Sequence, residues 1–251
     1  MVCILRPVAF CIISRLLTEM KEILYKDLGR VGYSECWDLQ RSLFERMLSA
    51  KRGDEDARQQ IEREAGWLLL VEHNPVYTLG KSGKDENMLV PEAYLRSIGA
   101  EFFHIDRGGD VTFHGPGQVV GYPILDLEQL GIGLREYIDS IEEAIIGVCR
   151  EWGIEAGRVA GASGVWIDGD TPRARKICAI GVKSSRYVTM HGFALNVATD
   201  LKYFNHINPC GFVDRGVTSI EREVGHEVDF EQVKMQVVKH LSEKLKIEIY
   251  K

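Results

Sequence analysis

The sequence predicts an α+β fold built as a single domain. Three observations carry that expectation. Apolar residues recur at helical spacing in three separate stretches. Seven short runs rich in aliphatic and aromatic residues read as strands. Helices and strands do not alternate regularly, which disfavours a doubly wound parallel sheet. No internal repeat, low-complexity run or Pro/Ser-rich linker divides the chain.

The first helix is expected from Ser34 as N-cap. Cys36, Leu39, Leu43 and Met47 then share one face, with Trp37, Phe44 and Leu48 beside them. The charged tract over residues 51–64 reads as a solvated loop or a helical extension. In the second helix Tyr137, Ile138, Ile141, Ile145, Val148, Cys149 and Trp152 form a stripe, and Gly153 is the stop signal. The third begins at Asp229, with Gln232 three residues on as a capping-box-like pair. Its apolar face is Phe230, Val233, Val237, Leu241 and Leu245. The strand-like runs are residues 67–71, 76–79, 101–105, 119–125, 164–167, 177–182 and 188–197.

The chain has 251 residues, enough for one large core. Its 31 Lys and Arg against 37 Asp and Glu give a net charge of −6, which does not point to nucleic acid or to an anionic membrane surface. No apolar stretch approaches the ~18 residues needed to span a bilayer. The six cysteines (Cys3, Cys11, Cys36, Cys149, Cys178 and Cys210) form no C-x-x-C pair, and the histidine spacings match no zinc pattern. Free thiols in a reducing, cytoplasmic setting are expected. Residues 1–19 carry Arg6, Arg15 and many aliphatics, with no acid before Glu19. The apolar run is short for a signal peptide and lacks a small-residue cleavage site. A transit peptide is a second reading. The preferred one treats residues 1–19 as an extension outside the domain, with Met20-Lys21-Glu22-Ile23 as a natural start and residues 20–251 as the domain.

Four segments are candidates for chemistry. Arg107-Gly108-Gly109-Asp110-Val111-Thr112-Phe113-His114-Gly115-Pro116-Gly117-Gln118 packs four glycines, an arginine and a histidine into twelve residues. Glycines allow close backbone approach to a ligand. Arg107 either pairs with an anion or fixes the loop internally. The competing reading is a tight hairpin with His114 in the core. Neither nucleotide-binding fingerprint is met. Lys176 opens the apolar run Ile177-Cys178-Ala179-Ile180-Gly181-Val182; it is either a desolvated proton-transfer group or the wet end of a strand. His191-Gly192-Phe193-Ala194 suits an acyl-pocket wall and equally a buried strand. In Asn208-Pro209-Cys210-Gly211, proline and glycine bracket the thiol and imply a turn, where backbone N–H groups can hold an oxyanion. The other cysteines fall on helices, on a strand or in residues 1–19, so Cys210 leads as nucleophile.

Together these motifs resemble the lipoyl(octanoyl) transferases over residues 24–223. The resemblance rests on Glu72-His73-Asn74-Pro75-Val76-Tyr77-Thr78-Leu79-Gly80, on Arg107 through Gln118 with Tyr122-Pro123, and on Gly164-Val165-Trp166. It continues through Lys176-Ile177, His191 through Val197, Asp200-Leu201 and Asn208-Pro209-Cys210-Gly211. Asn74 stands where the family often has proline, and Met190 where an aromatic is common.

The resemblance implies a biotin/lipoate protein ligase-like fold, a mixed sheet flanked by helices. It implies octanoyl transfer from octanoyl-acyl carrier protein, through an acyl-cysteine thioester, to a lysine of lipoyl domains. The implied acceptors are the E2 subunits of 2-oxoacid dehydrogenases and the glycine cleavage H protein. The family's nucleophile falls on Cys210 and its pKa-lowering lysine on Lys176. Its substrate-lining positions fall on Arg107, Gly108, Gly109, Asp110, Val111, Thr112, Phe113 and His114, then Ala179, Ile180 and Gly181, then Gly192, Phe193 and Ala194. His73 and His191 are possible pocket residues. No cofactor, metal, nucleic acid or membrane is implied. The rival readings are an ATP-dependent lipoate or biotin ligase, which needs no nucleophilic cysteine, a non-catalytic carrier-protein-binding module, and, distantly, a papain-like hydrolase.

Overall fold

A computed structural model describes residues 20–61, 65–208 and 216–250. The chain opens with β1 (Lys21–Val31), α1 (Tyr33–Lys51) and α2 (Glu55–Ile61). Then come β2 (Gly66–His73), β3 (Val76–Leu79), α3 (Glu92–Ser97), β4 (Glu101–His104), β5 (Val111–His114) and β6 (Gln118–Leu125). They are followed by α4 (Leu127–Leu130), α5 (Leu134–Glu151), β7 (Gly157–Val159), β8 (Ala162–Ile167), β9 (Arg175–Ser185) and β10 (Val188–Asn196). β11 (Gly216–Val217), α6 (Ile220–Val224), α7 (Phe230–Leu245) and β12 (Ile247–Tyr250) complete it. All seven strand-like runs are strands, with ends shifted by a few residues.

The larger sheet runs β12-β1-β2-β6-β10-β9-β8-β7, with β11 paired to β9. It is mixed: β1 lies parallel to both β12 and β2, while β6, β10, β9 and β8 are antiparallel neighbours. A smaller sheet has the order β4-β3-β5.

Helices cover both faces of the large sheet. Period-2 alternation in β2 sends Leu68 and Leu70 to one side, where Tyr137, Ile141 and Ile145 of α5 and Val233, Val237 and Leu241 of α7 pack. Trp67, Leu69 and Val71 face the other side, against Leu43, Phe44 and Met47 of α1 and Ala57 and Ile61 of α2. A strand buried on both faces reads as an unbroken apolar run, which is why Trp67-Leu68-Leu69-Leu70-Val71 is so clear.

Helix starts divide the expectations. Asp229 caps α7, its carboxylate accepting from the N–H groups of Glu231 and Gln232. α1 begins one residue before the expected cap: Gly32 is the N-cap, with no side-chain hydrogen bond, and Ser34 is already helical. The charged tract is partly helix, as α2. Residues 107–118 do not form a hairpin. β5 pairs with β3 in the small sheet and β6 with β2 and β10 in the large one, so the Gly115-Pro116-Gly117 turn carries the chain between sheets. Among the described residues no helix is long and apolar enough to cross a membrane.

Candidate active site

A cavity of about 630 Å³ opens where the two sheets meet. Its walls come from the loop before β5, from β6, β9 and β10, from the β7–β8 hairpin, and from Leu134 and Ile138 of α5. Of the residues singled out in the sequence, Arg107, Gly108, Gly109, Asp110, Val111, Thr112, His114, Lys176, Ala179, Ile180, Gly181, His191, Gly192, Phe193 and Ala194 all line it. Phe113 does not. Its ring turns to the other face of β5, stacked on Tyr203 at 4.5 Å and against Tyr77 at 5.1 Å. His73 lies behind the wall, its Nδ1 3.1 Å from the Val31 carbonyl and its Nε2 2.8 Å from the Tyr122 hydroxyl. Cys210 lies outside the described residues. Phe204 before it and Gly216 and Val217 after it line the cavity.

The glycine-rich loop is held from within. Arg107 is buried and donates to the carbonyls of Gly108 (2.9 Å), Thr78 (2.8 Å) and Asp110 (2.7 Å) and to the Thr78 hydroxyl (3.0 Å). These bonds hold the loop internally. The Gly108 N–H donates to the Val182 carbonyl at 2.9 Å, which ties the loop to β9. That approach requires glycine at 181, where a Cβ would stand 2.8 Å from the Gly108 carbonyl oxygen.

Beside the loop, Asp106 accepts from Lys183 Nζ at 2.6 Å and contacts His191 Nε2 at 3.0 Å. These bonds, the one from His191 foremost, hold the Asp106 carboxyl far below its ordinary range. Burial lowers the His191 pKa despite that carboxylate, so a neutral ring donates Nε2–H to Asp106. His191 sits at φ +62°, a conformation few non-glycine residues adopt. The buried Gln40 side chain of α1 accepts from its backbone N–H at 3.2 Å.

Lys176 reaches the cavity through an irregular strand. Lys176 and Ala179 are three residues apart, which in a regular strand puts them on opposite faces. Between them the β8–β9 register shifts: Val165 pairs with Cys178 but Trp166 with Lys176. Such a shift re-aims a side chain, and both residues line the cavity. The Lys176 ammonium rests 4.6 Å from the centre of the Trp166 ring. Its strand neighbour on the other side is Val217, in parallel pairing, and the Thr218 N–H donates to the Lys176 carbonyl.

His114 is buried, stacked on Tyr33 with ring planes 7° apart. Burial, then the neighbouring His73, lowers its pKa to about 3. Its Nδ1 lies 2.9 Å from Gln118 Oε1. Gln118 Nε2 reaches the Phe113 carbonyl at 3.2 Å and Asn196 Oδ1 at 2.8 Å, and Asn196 Nδ2 reaches the Thr218 carbonyl at 3.0 Å.

Gln118 and Asn196 also line the cavity and were not singled out as site residues. Period-2 reading would have found Asn196, which shares a face of β10 with Gly192 and Ala194. The contributions of Tyr33 from α1 and Leu134 from α5 are tertiary and carry no local signal.

Known proteins place the chain. The family model for the lipoyl protein ligase A/B catalytic domain matches residues 32–242. An octanoyltransferase from Bacteroides fragilis is 54% identical over 215 residues, covering 86% of this chain and 94% of its own length. An octanoyltransferase from Flavobacterium johnsoniae is 48% identical, covering 91% of this chain and 99% of its own. Among solved structures, a bipartite lipoate protein ligase from Thermoplasma acidophilum superposes with a TM-score of 0.65 at 18% identity, over 92% of this chain and 86% of that one. A P. falciparum protein, LipL1, solved with lipoate, has a TM-score of 0.66 at 12% identity, over 91% and 65%. At such identities these structures establish the shared fold alone. The relatives and the family model together establish that the chain belongs to the lipoyl protein ligase A/B catalytic-domain family, as a member of its octanoyltransferases.

Proposed function

We propose that this acyltransferase moves an octanoyl group from octanoyl-acyl carrier protein to a lysine of lipoyl domains, through a thioester on Cys210. The acceptors are the lipoyl domains of 2-oxoacid dehydrogenase E2 subunits and the glycine cleavage H protein, and the compartment is the cytoplasm. The observation that carries the reading is Lys176: a cation brought to the wall of a largely apolar cavity by a register shift, with its carbonyl bound by the chain that follows Cys210.

An ordinary thiol has a pKa of about 8.5, so little thiolate exists at neutral pH. A nearby ammonium favours the thiolate. Burial pushes Cys36 and Cys149 up to about 12, and Cys178 still higher, so none of these three thiols suits a nucleophile. In the proposed first step the Cys210 thiolate attacks the carrier's thioester carbonyl. The carrier sulfur leaves and takes a proton from Lys176, and Cys210 carries the acyl group. In the second step the neutral ε-amine of the acceptor lysine attacks that carbonyl. The C–N bond forms, the C–S bond breaks, and the amine's proton passes by way of Lys176 to the leaving sulfur. An amide is more stable than a thioester, so no ATP is consumed.

Intact-mass measurement after mixing with octanoyl-acyl carrier protein, without ATP or acceptor, tests this. The wild-type chain should gain one octanoyl group, and Cys210→Ala should gain none. No gain in the wild type would overturn the route and favour an ATP-dependent ligase or a non-catalytic carrier-binding module, and a gain that survives Cys210→Ala would overturn it by placing the acyl group on another nucleophile.

A further inference from the structure

We propose that the His114 Nε2 lone pair accepts a hydrogen bond from the N–H of the incoming amine, and that Gln118 and Asn196 are positioning residues that fix the ring in that tautomer. The proposal rests on the reading that an amine is the acyl acceptor.

The direction of the hydrogen-bond chain follows from its ends. Backbone carbonyls only accept, so the Thr218 carbonyl requires Asn196 to present its NH₂ there. Asn196 Oδ1 is then the acceptor for Gln118, whose NH₂ also serves the Phe113 carbonyl. That leaves Gln118 Oε1 facing His114 Nδ1, which must carry the hydrogen. The ring is neutral, so Nε2 holds a lone pair. No hydrogen bond to Nε2 is made by any described residue, and the ring lines the cavity. The Tyr33 ring lies nearly parallel to it, with centroids 6.1 Å apart, and the Gln118 bond fixes its Nδ1 side.

His114 orients the amine and does not deprotonate it. A lysine ammonium has a pKa of about 10.4, and burial holds His114 at about 3. Proton transfer between them would be strongly unfavourable. A neutral acceptor instead binds the N–H of an already neutral amine and directs the nitrogen lone pair at the acyl carbon. The far end of the network serves the same geometry, since the Thr218 N–H binds the Lys176 carbonyl. His114 and Lys176 are thereby tied to one residue.

Nitrogen-15 histidine spectra of the full-length chain read the tautomer directly, with His114→Phe assigning the resonance. Nε2 should keep an unprotonated shift and Nδ1 a protonated one from about pH 5 to about 9, where an ordinary histidine titrates. Gln118→Ala and Asn196→Ala should mix the tautomers. In steady-state octanoyl transfer, His114→Phe should lower the acceptor-side kcat/KM by about 10- to 100-fold and the donor-side value by less than about threefold. A protonated Nε2, or equal losses on both sides, overturns the proposal. A wild-type chain that takes up no octanoyl group without acceptor instead defeats the covalent route; the nitrogen shifts and the acceptor-side loss then still decide the role of His114.

Discussion

Arg107 and Lys176 line the same cavity, yet their surroundings differ. Arg107 is buried and its guanidinium meets three carbonyls and a hydroxyl, all from its own loop or from the adjacent β3. Lys176 is half-buried, on a strand whose register shifts beside it, with its ammonium against the face of Trp166. A planar fork with five donors suits a fixed cradle of acceptors, whereas a compact ammonium on a flexible stem suits proton exchange. The lesson is that a cation in a pocket is assigned by the shape of its charge and by what surrounds it. Arg107 builds the wall, and in the proposed chemistry Lys176 acts across it.

The largest expected effect breaks this comparison at Lys176. Lys176→Met keeps the length and apolar contacts of the stem but removes the ammonium. Octanoyl transfer should fall by about 10²- to 10⁴-fold, the usual contribution of a positioned acid–base group. The melting temperature should move by no more than about 2 °C. Lys176→Arg should not restore the rate, because a guanidinium does not give up its proton near neutrality. Full activity in Lys176→Met would remove Lys176 from the mechanism.

Arg107→Ala should do the reverse of Lys176→Met. It takes a donor from the buried Thr78 carbonyl and hydroxyl, while the Asp110 carbonyl keeps the Gly80 N–H and the Gly108 carbonyl is half-buried; a buried acceptor without a partner costs about 1–3 kcal/mol. With partial relaxation, a loss of about 3 kcal/mol is expected by denaturant unfolding. Arg107→Lys keeps the charge but not the fork, and should recover only part of the loss. A stable Arg107→Ala chain with weakened donor binding would show that Arg107 serves the substrate after all.

Much of this was legible in the sequence, for reasons that differ by element. β2 is buried on both faces and shows it as the unbroken apolar run Trp67–Val71, whereas β10, equally buried, carries Thr189, His191 and Asn196 among its apolar residues. α5 and α7 each bury one stripe and show it at period 3.6. β1 was invisible: Lys21, Glu22, Lys26, Asp27 and Arg30 break any alternation, and its pairing with β2 and β12 comes from the backbone. β12 is four residues long and forms only because α7 delivers it to β1. In the site, the glycine-rich segment announced itself by composition. The side on which each residue points did not. Phe113 and His114 are adjacent, and only the pairing of β5 with β3 sends one to the small-sheet core and the other to the cavity. The register shift that brings Lys176 to the wall lies in backbone pairing, which no residue type encodes.

The smallest effect extends the comparison to two histidines. Both ring nitrogens of His73 are met by protein groups, while His114 has one met and one turned to the cavity. Burial lowers both, His73 to about 4 and His114 to about 3. In the unfolded chain each returns to about 6.5. Between those values the unfolded state binds protons that the folded state does not, so stability rises with pH and falls on acidification. The slope is about 1.4 kcal/mol per pH unit for each histidine, an upper bound reached well below pH 6.5. Denaturant midpoints should be level near pH 8 and drop between pH ~6 and ~4.5. The lowered carboxyls of Asp106 and Glu223 lose their stabilisation only at lower pH, so they do not account for this window. Replacing His114 by Phe should flatten the slope by about a third to a half, because His114 is gone while His73 and His191 still exclude protons. An unchanged slope in that variant would mean that His114 takes up a proton in the folded state, which would contradict the neutral acceptor assigned to it.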